Sequence, residues 1–225
     1  MTDITSRNRG GLASLKGSRT GLSVLRKSAQ LEQFRDKGFA EALVLCLDVS
    51  ASMEDPASKG PRSVSKIRAM RDAAKALLAK STASQVGIVW FSDDAGMAAR
   101  IGDTRSAIAV LKTLETRGAT FMANGLRLSF NMLVGYRGCV CRIIVMSDGF
   151  QFDDPAEILA LAESNPGVII DTVGFGDEAD EGFLRSLAKV GKGIYAKADS
   201  HLQLVRVFKQ LEAKNRGLLM SGGQK

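Results

Sequence analysis

The stretch ALVLCLDVSAS, Ala42 to Ser52, decides the fold. Its first six residues are apolar at every position, the mark of a strand buried on both faces of a sheet rather than on one. It then breaks into a carboxylate and two hydroxyls at alternate positions, Asp48, Ser50 and Ser52, where the chain must leave that sheet. Three more runs of the same kind follow: QVGIVWF (Gln85 to Phe91), CRIIVMS (Cys141 to Ser147) and GVIIDTV (Gly167 to Val173). Amphipathic segments separate and follow them, over Ser65 to Lys80, Thr104 to Leu114, Phe121 to Tyr136, Pro155 to Glu163, Asp180 to Val190 and Ser200 to Ala213. This alternation predicts an α/β fold with a doubly wound, mostly parallel sheet flanked by helices. Met97 to Ile101, close after Phe91, is expected as a short antiparallel edge strand, and Gly193 to Ala196 as a brief strand at the other edge.

The remaining composition agrees with one compact globular domain. Of 225 residues, 45% are hydrophobic and 24% charged, which excludes a disordered or fibrous chain. No apolar run approaches the roughly 18 residues a membrane span needs, and no signal-like segment opens the chain, so a cytoplasmic location is expected. Three cysteines, Cys46, Cys139 and Cys141, are too few for a disulfide framework, and Cys139 and Cys141 have no second pair or nearby histidine to complete a tetrahedral metal site. Net charge is +7, and it is unevenly placed. Residues 1–38 hold eight Lys or Arg against three acids, and residues 214–225 hold Lys214, Arg216 and Lys225 with no acid, so the body over 39–213 is close to neutral. Three regions follow: a basic arm (1–38), the α/β body (39–213) and a short tail (214–225). The arm is rich in Gly, Ser, Thr and Arg, and only Leu22 to Phe34 hints at a helix. Such a segment is either a solvated, flexible leader or an arm that orders on an acidic protein surface or on nucleic acid. With Phe34 its sole aromatic residue, base stacking is not its mode.

In doubly wound sheets ligands gather at the carboxyl ends of the strands, near the switch in strand order. There the first run presents Asp48, Ser50 and Ser52, the CRIIVMS run ends in Ser147-Asp148-Gly149, and Thr120 opens the segment from Phe121. Each has a plain structural role available: Asp148 as a turn residue, Thr120 as a helix cap, the serines as loop hydroxyls. Together they make a hard-oxygen set without histidine or thiol, suited to Mg²⁺ or Mn²⁺. Two carboxylates and three neutral hydroxyls leave such an ion electrophilic and open to one more anionic ligand.

These residues, in this order, resemble a von Willebrand factor A (VWA) domain of the bacterial or intracellular type with a metal-ion-dependent adhesion site (MIDAS), over about Ala40 to Ala213. Val89-Trp90-Phe91-Ser92-Asp93 is similar to the second strand and its turn, Gly118-Ala119-Thr120 with Asn124-Gly125-Leu126 to the threonine loop and helix start, Val145 to Gly149 to the fourth strand, and Ile170 to Asp177 to the fifth. The resemblance implies hydroxyl ligands from Ser50, Ser52 and Thr120, with Asp48 and Asp148 binding directly or through water. Ala51 and Ala119 stand where the family commonly has glycine, and Ser147 where it has threonine; none of the three removes a ligand. The implied activity is binding: a partner's Glu or Asp completes the metal's coordination, and specificity lies in the surrounding loops, Met53 to Val64, Asp93 to Met97, Thr116 to Met122 and Gly149 to Asp154. Glu54 to Val64, with Pro56, Gly60 and Pro61, is the expected main contact loop. Intracellular relatives serve as adaptors in large assemblies, including those of MoxR-type AAA+ ATPases and metal chelatases. No G-x-x-x-x-G-K-[ST] string occurs, so ATPase activity in such an assembly belongs to another chain.

Two other readings remain at this level. Asp48 at the end of a first strand also resembles the nucleophile of haloacid-dehalogenase-type, Mg²⁺-dependent phosphatases, but the general acid two residues on is replaced by Ser50, whose hydroxyl cannot serve near neutral pH. Alternatively the domain is a structural component of a particle, attached through its arm. The sole histidine, His201, opens the last helical segment and is expected at the surface or in a cap.

Overall fold

The computed structural model describes residues 41–61, 63–81, 85–136 and 139–221, with side chains as far as Leu211. The arm expected over residues 1–38, the tail's side chains and residues 222–225 lie outside it. Six strands form one sheet: β1 (Glu41–Asp48), β2 (Gln85–Phe91), β3 (Ala95–Gly102), β4 (Val140–Ser147), β5 (Val168–Phe175) and β6 (Lys192–Ala198). Their order is β3-β2-β1-β4-β5-β6, and every neighbouring pair is parallel except β2 and β3. The helices are α1 (Lys66–Leu78), α2 (Thr104–Leu111), α3 (Met122–Leu133), α4 (Pro155–Glu163), α5 (Glu181–Val190) and α6 (His201–Ser221). Among the described residues no helix is long and apolar enough to cross a membrane.

β1 explains the architecture. All eight of its residues are buried, and alternate side chains serve opposite cores, as the pleat requires. Leu43, Leu45 and Leu47 join the core beneath α1, α2 and α6; Ala42, Val44 and Cys46 join the one beneath α3, α4 and α5. On the second face α3 comes unusually close. A Cβ at Gly125 would stand 2.9 Å from Phe91 Cβ and 3.0 Å from Cys46 Sγ, so the absence of a side chain sets this helix-to-sheet distance.

Element limits differ from expectation mainly where tertiary contacts decide them. α3 ends at Leu133 and continues as a 3₁₀ turn, Val134–Tyr136; both edge strands are longer than expected; and α6 runs to Ser221, past the end expected at Ala213. Two charged residues sit inside strands that read as apolar. The Arg142 guanidinium meets Asp171 Oδ2 at 2.5 Å and donates to the Leu211 carbonyl at 3.1 Å, while Glu41 lies 3.7 Å away. Asp171 Oδ1 accepts the Ile194 N–H at 2.8 Å. One buried network thus ties β1, β4, β5, β6 and α6.

Breaking a buried ion pair by removing one partner leaves an uncompensated charge, which costs about 3–5 kcal/mol. Asp171→Ala should lower the unfolding free energy by that amount in urea titrations. A loss under about 1 kcal/mol would mean that water reaches Arg142 and that the network does not hold the strands together.

Candidate metal centre

β1 and β4 are neighbours, yet the chain leaves them towards opposite faces, β1 to α1 and β4 to α4. Their carboxyl ends therefore flank the reversal in winding where a doubly wound sheet opens a crevice. Asp48 ends β1, Asp148 follows β4, and both are fully buried. Asp48 Oδ1 accepts the Ser50 N–H at 2.8 Å and its Oδ2 the Ser147 hydroxyl at 2.6 Å. A 3₁₀ turn, Ala51–Glu54, then brings the hydroxyls of Ser50 and Ser52 to 3.1 Å. Ser52 donates to Asp148 Oδ1 at 2.9 Å, which leaves Ser50 as donor in the serine pair. The other Asp148 oxygen accepts from Lys66 Nζ at 2.7 Å, at the start of α1. Burial pushes the Asp48 carboxyl up to about 6, assisted by the negative charge of Asp148 and opposed by its hydrogen bonds from Ser147 and Ser50.

Thr120 reaches the same end of the sheet on a separate loop. That loop is fastened to the end of β1 by backbone bonds from Arg117 N–H to Val49 O (2.7 Å) and Ala51 N–H to Gly118 O (2.9 Å). Gly118 has φ +58 and lies so close against the Asp93 carboxylate that a Cβ would collide with it; Asp93 in turn accepts the Ala119 N–H at 2.8 Å. Ala119 itself needs no glycine, because Lys192 is the only non-glycine residue with positive φ among the described residues. Ala51 is exposed, so its methyl group obstructs nothing. Neither departure from the family pattern distorts the loops.

The structure brings Asp48, Ser50, Ser52 and Asp148 into one hydrogen-bonded string and sets Thr120, buried, on the adjoining loop. The capping role open to Thr120 is corrected: Phe121 is the cap residue of α3, with no side-chain cap bond, and Asp153 accepts the Ala123 N–H at 2.9 Å instead. Four supporting residues escape a reading of motifs: Lys66, Asp93, Ser147 as the orienter of Asp48, and Asp153. Lys66 does leave a trace in the sequence, since a cation at the first position of a helix opposes the helix dipole.

The donor set fits a small hard cation. Oxygens at adjacent corners of an octahedron with Mg–O near 2.0–2.1 Å are about 2.9 Å apart. The Ser50–Ser52 and Ser52–Asp148 separations are 3.1 and 2.9 Å. Among the described residues no three His, Cys, Asp or Glu side chains gather as a metal site, so an ion here depends on hydroxyl ligands. The thiols are poor alternatives: burial pushes Cys46 up to about 12 and Cys141 up to about 11. His201 opens α6 with Nε2 3.6 Å from Asp72 Oδ2 of α1. Around the five residues, Phe150 and Phe152 are 66% and 69% exposed, with the Phe152 ring 5.8 Å from that of Phe121. Beside Lys66 opens a cavity of about 600 Å³ whose lining includes Asp55, Lys59, Asp177, Glu178 and Asp199.

Residues 43–151 match the model of the von Willebrand factor type A domain. Solved structures share the fold at low sequence identity. BatB from Bacteroides thetaiotaomicron is 21% identical with a TM-score of 0.65, over 78% of this chain and 98% of that one. An aerotolerance-related membrane protein from Bacteroides fragilis is 21% identical with a TM-score of 0.64, over 78% and 99%. The PilB minor pilin from Streptococcus sanguinis is 14% identical with a TM-score of 0.70, over 83% and 64%. No curated protein matches in sequence. Over residues 43–151 the chain is thus similar to a VWA domain, and it shares the fold of these structures.

Asp48 gives the metal-free site a pH signature. Its folded value, about 6, lies above the ordinary 3.8, so between the two the native state holds more protons and stability declines as pH rises. The penalty is absent below the lower value and complete above the upper, on the order of 3 kcal/mol. In chelator, wild-type protein should lose this increment relative to Asp48→Asn between pH 4 and 7. Parallel stability profiles for the two proteins would contradict the burial of a charge at Asp48.

Proposed function

We propose that this chain is a Mg²⁺-dependent protein-binding adaptor, with Mn²⁺ as the alternative ion, whose metal site captures a Glu or Asp of a partner within a larger cytoplasmic assembly such as one built on a MoxR-type AAA+ ATPase. The observation that carries this is the run of oxygens from Ser50 through Ser52 to Asp148, whose two separations match adjacent corners of an octahedron, with Asp48 joined to it through the Ser50 N–H at the switch point of the sheet. Ser50, Ser52 and Thr120 supply hydroxyls, and Asp48 and Asp148 the charge, directly or through water. When bound, the metal supplies a Lewis-acidic position for the partner's carboxylate. Ser147 and the Ser50 N–H fix the plane of Asp48, and the bonds between the threonine loop and Val49 and Ala51 keep Thr120 in register with the serines. Phe150 and Phe152 offer apolar contact next to a charged capture point, a combination that suits a protein ligand. The place of a phosphatase's general acid is taken by Ser50, which supports binding over hydrolysis.

Calorimetric titration of Mg²⁺ should show affinity reduced by roughly 10-fold to 100-fold in Asp48→Ala and Thr120→Ala, or by more where the ligand is direct. Partner capture should fall in EDTA and in Asp48→Ala alike; capture indifferent to both would mean that the metal site does not serve binding. The basic arm adds electrostatic attachment to an acidic protein surface or to nucleic acid. Deleting residues 1–38 should leave the domain folded and weaken capture at low salt, with the difference vanishing at high salt. Equal capture by both forms at low salt would remove the arm from the interface.

A further inference from the structure

A fixed cation already occupies part of the charge environment that a metal would use. Lys66 stands at the first position of α1, where the helix dipole disfavours it, and its side chain is only 9% exposed. Its Nζ lies 2.7 Å from Asp148 Oδ2, and the same aspartate's Oδ1 belongs to the oxygen string through Ser52. A desolvated ammonium persists in such a place only against a paired anion. With Asp48 and Asp148 ionised, Lys66 leaves the buried group one net negative charge instead of two, which weakens attraction for a divalent ion.

The same lysine also lines the cavity of about 600 Å³, where four carboxylates, Asp55, Asp177, Glu178 and Asp199, outnumber the one other cation, Lys59. Asp199 is shared with Lys197 at 3.6 Å, while Asp177 and Glu178 are exposed at the carboxyl end of β5. Lys66 thus lies between two sets of carboxylates, one at the oxygen string and one in the cavity.

We infer that Lys66 is a built-in competitor of the metal: it neutralises Asp148 when no ion is bound and turns to the cavity's carboxylates when one enters. This rests on the metal reading above. The affinity of the wild type is then set by a contest between two cations for Asp148, and is lower than the oxygen ligands alone would give. It follows that the charge of the cavity acts on metal affinity through this one side chain.

The test is calorimetric titration of Mg²⁺ into wild type, Lys66→Met, Lys66→Arg and the double variant Asp177→Asn/Glu178→Gln. Lys66→Met should bind about tenfold or more tightly, by relief of a like charge a few ångströms away. Lys66→Arg, which keeps the charge, should show no such gain, and the double variant should bind more weakly. The same two cavity substitutions should have no further effect on Lys66→Met. Without metal, Lys66→Met should melt below wild type, and Mg²⁺ should raise its Tm by more than it raises that of wild type. A folded Lys66→Met that binds Mg²⁺ no more tightly than wild type overturns the competitor role and leaves the metal site standing. Absence of Mg²⁺ binding in every variant overturns both. If Lys66→Met does not fold, the double variant, altered only at exposed positions, decides: unchanged affinity overturns the proposal.

Discussion

Asp48 and Asp148 are withdrawn from water altogether, and buried carboxylates must be compensated where they stand. Much of the upper rim of the sheet meets that demand. The Ser50 amide and Ser147 hydroxyl serve Asp48, and the Ser52 hydroxyl and Lys66 ammonium serve Asp148. The compensation is incomplete, since Asp48 still holds its proton to about 6. The buried group therefore keeps a net negative charge once Asp48 is ionised, which is the condition the proposed metal site needs. The strands beneath supply the rigidity: β1 and β4 are locked side by side in parallel register, so the two carboxylates cannot separate to relieve their repulsion.

Much of this was legible in the chain itself. Continuous apolar runs located the parallel strands, because only strands covered on both faces tolerate them. The alternate polar residues after Leu47 marked the crevice. What escaped was whatever depends on partners far apart in sequence. Arg142 and Asp171 interrupt apolar runs, and periodicity counts the apolar majority around them; only the fold shows that they neutralise each other across 29 positions. Lys66 and Asp148 are 82 positions apart, and a lysine among the basic residues of an amphipathic helix reads as solvated. Thr120 was given two roles by position alone, and the capping one went to Asp153, whose arrival from the next loop no local pattern records.

The two charged networks divide the labour of the sheet. Arg142 and Asp171 bond each other and backbone groups of α6 and β6, with Glu41 3.7 Å from the guanidinium, which suits a structural clasp. Asp48 and Asp148 are tied through one backbone amide, two side-chain hydroxyls and the Lys66 ammonium.

The central position of β1 has a mechanical consequence. The described part of the chain begins with this strand, which is held by parallel ladders on both sides, to β2 and to β4. Tension applied through the preceding segment runs along β1 and loads both ladders lengthwise, so that their hydrogen bonds share the strain and must yield together, whereas a strand at the sheet's margin could be peeled away one bond at a time. A tether at that end would pull on a strand anchored along both of its edges.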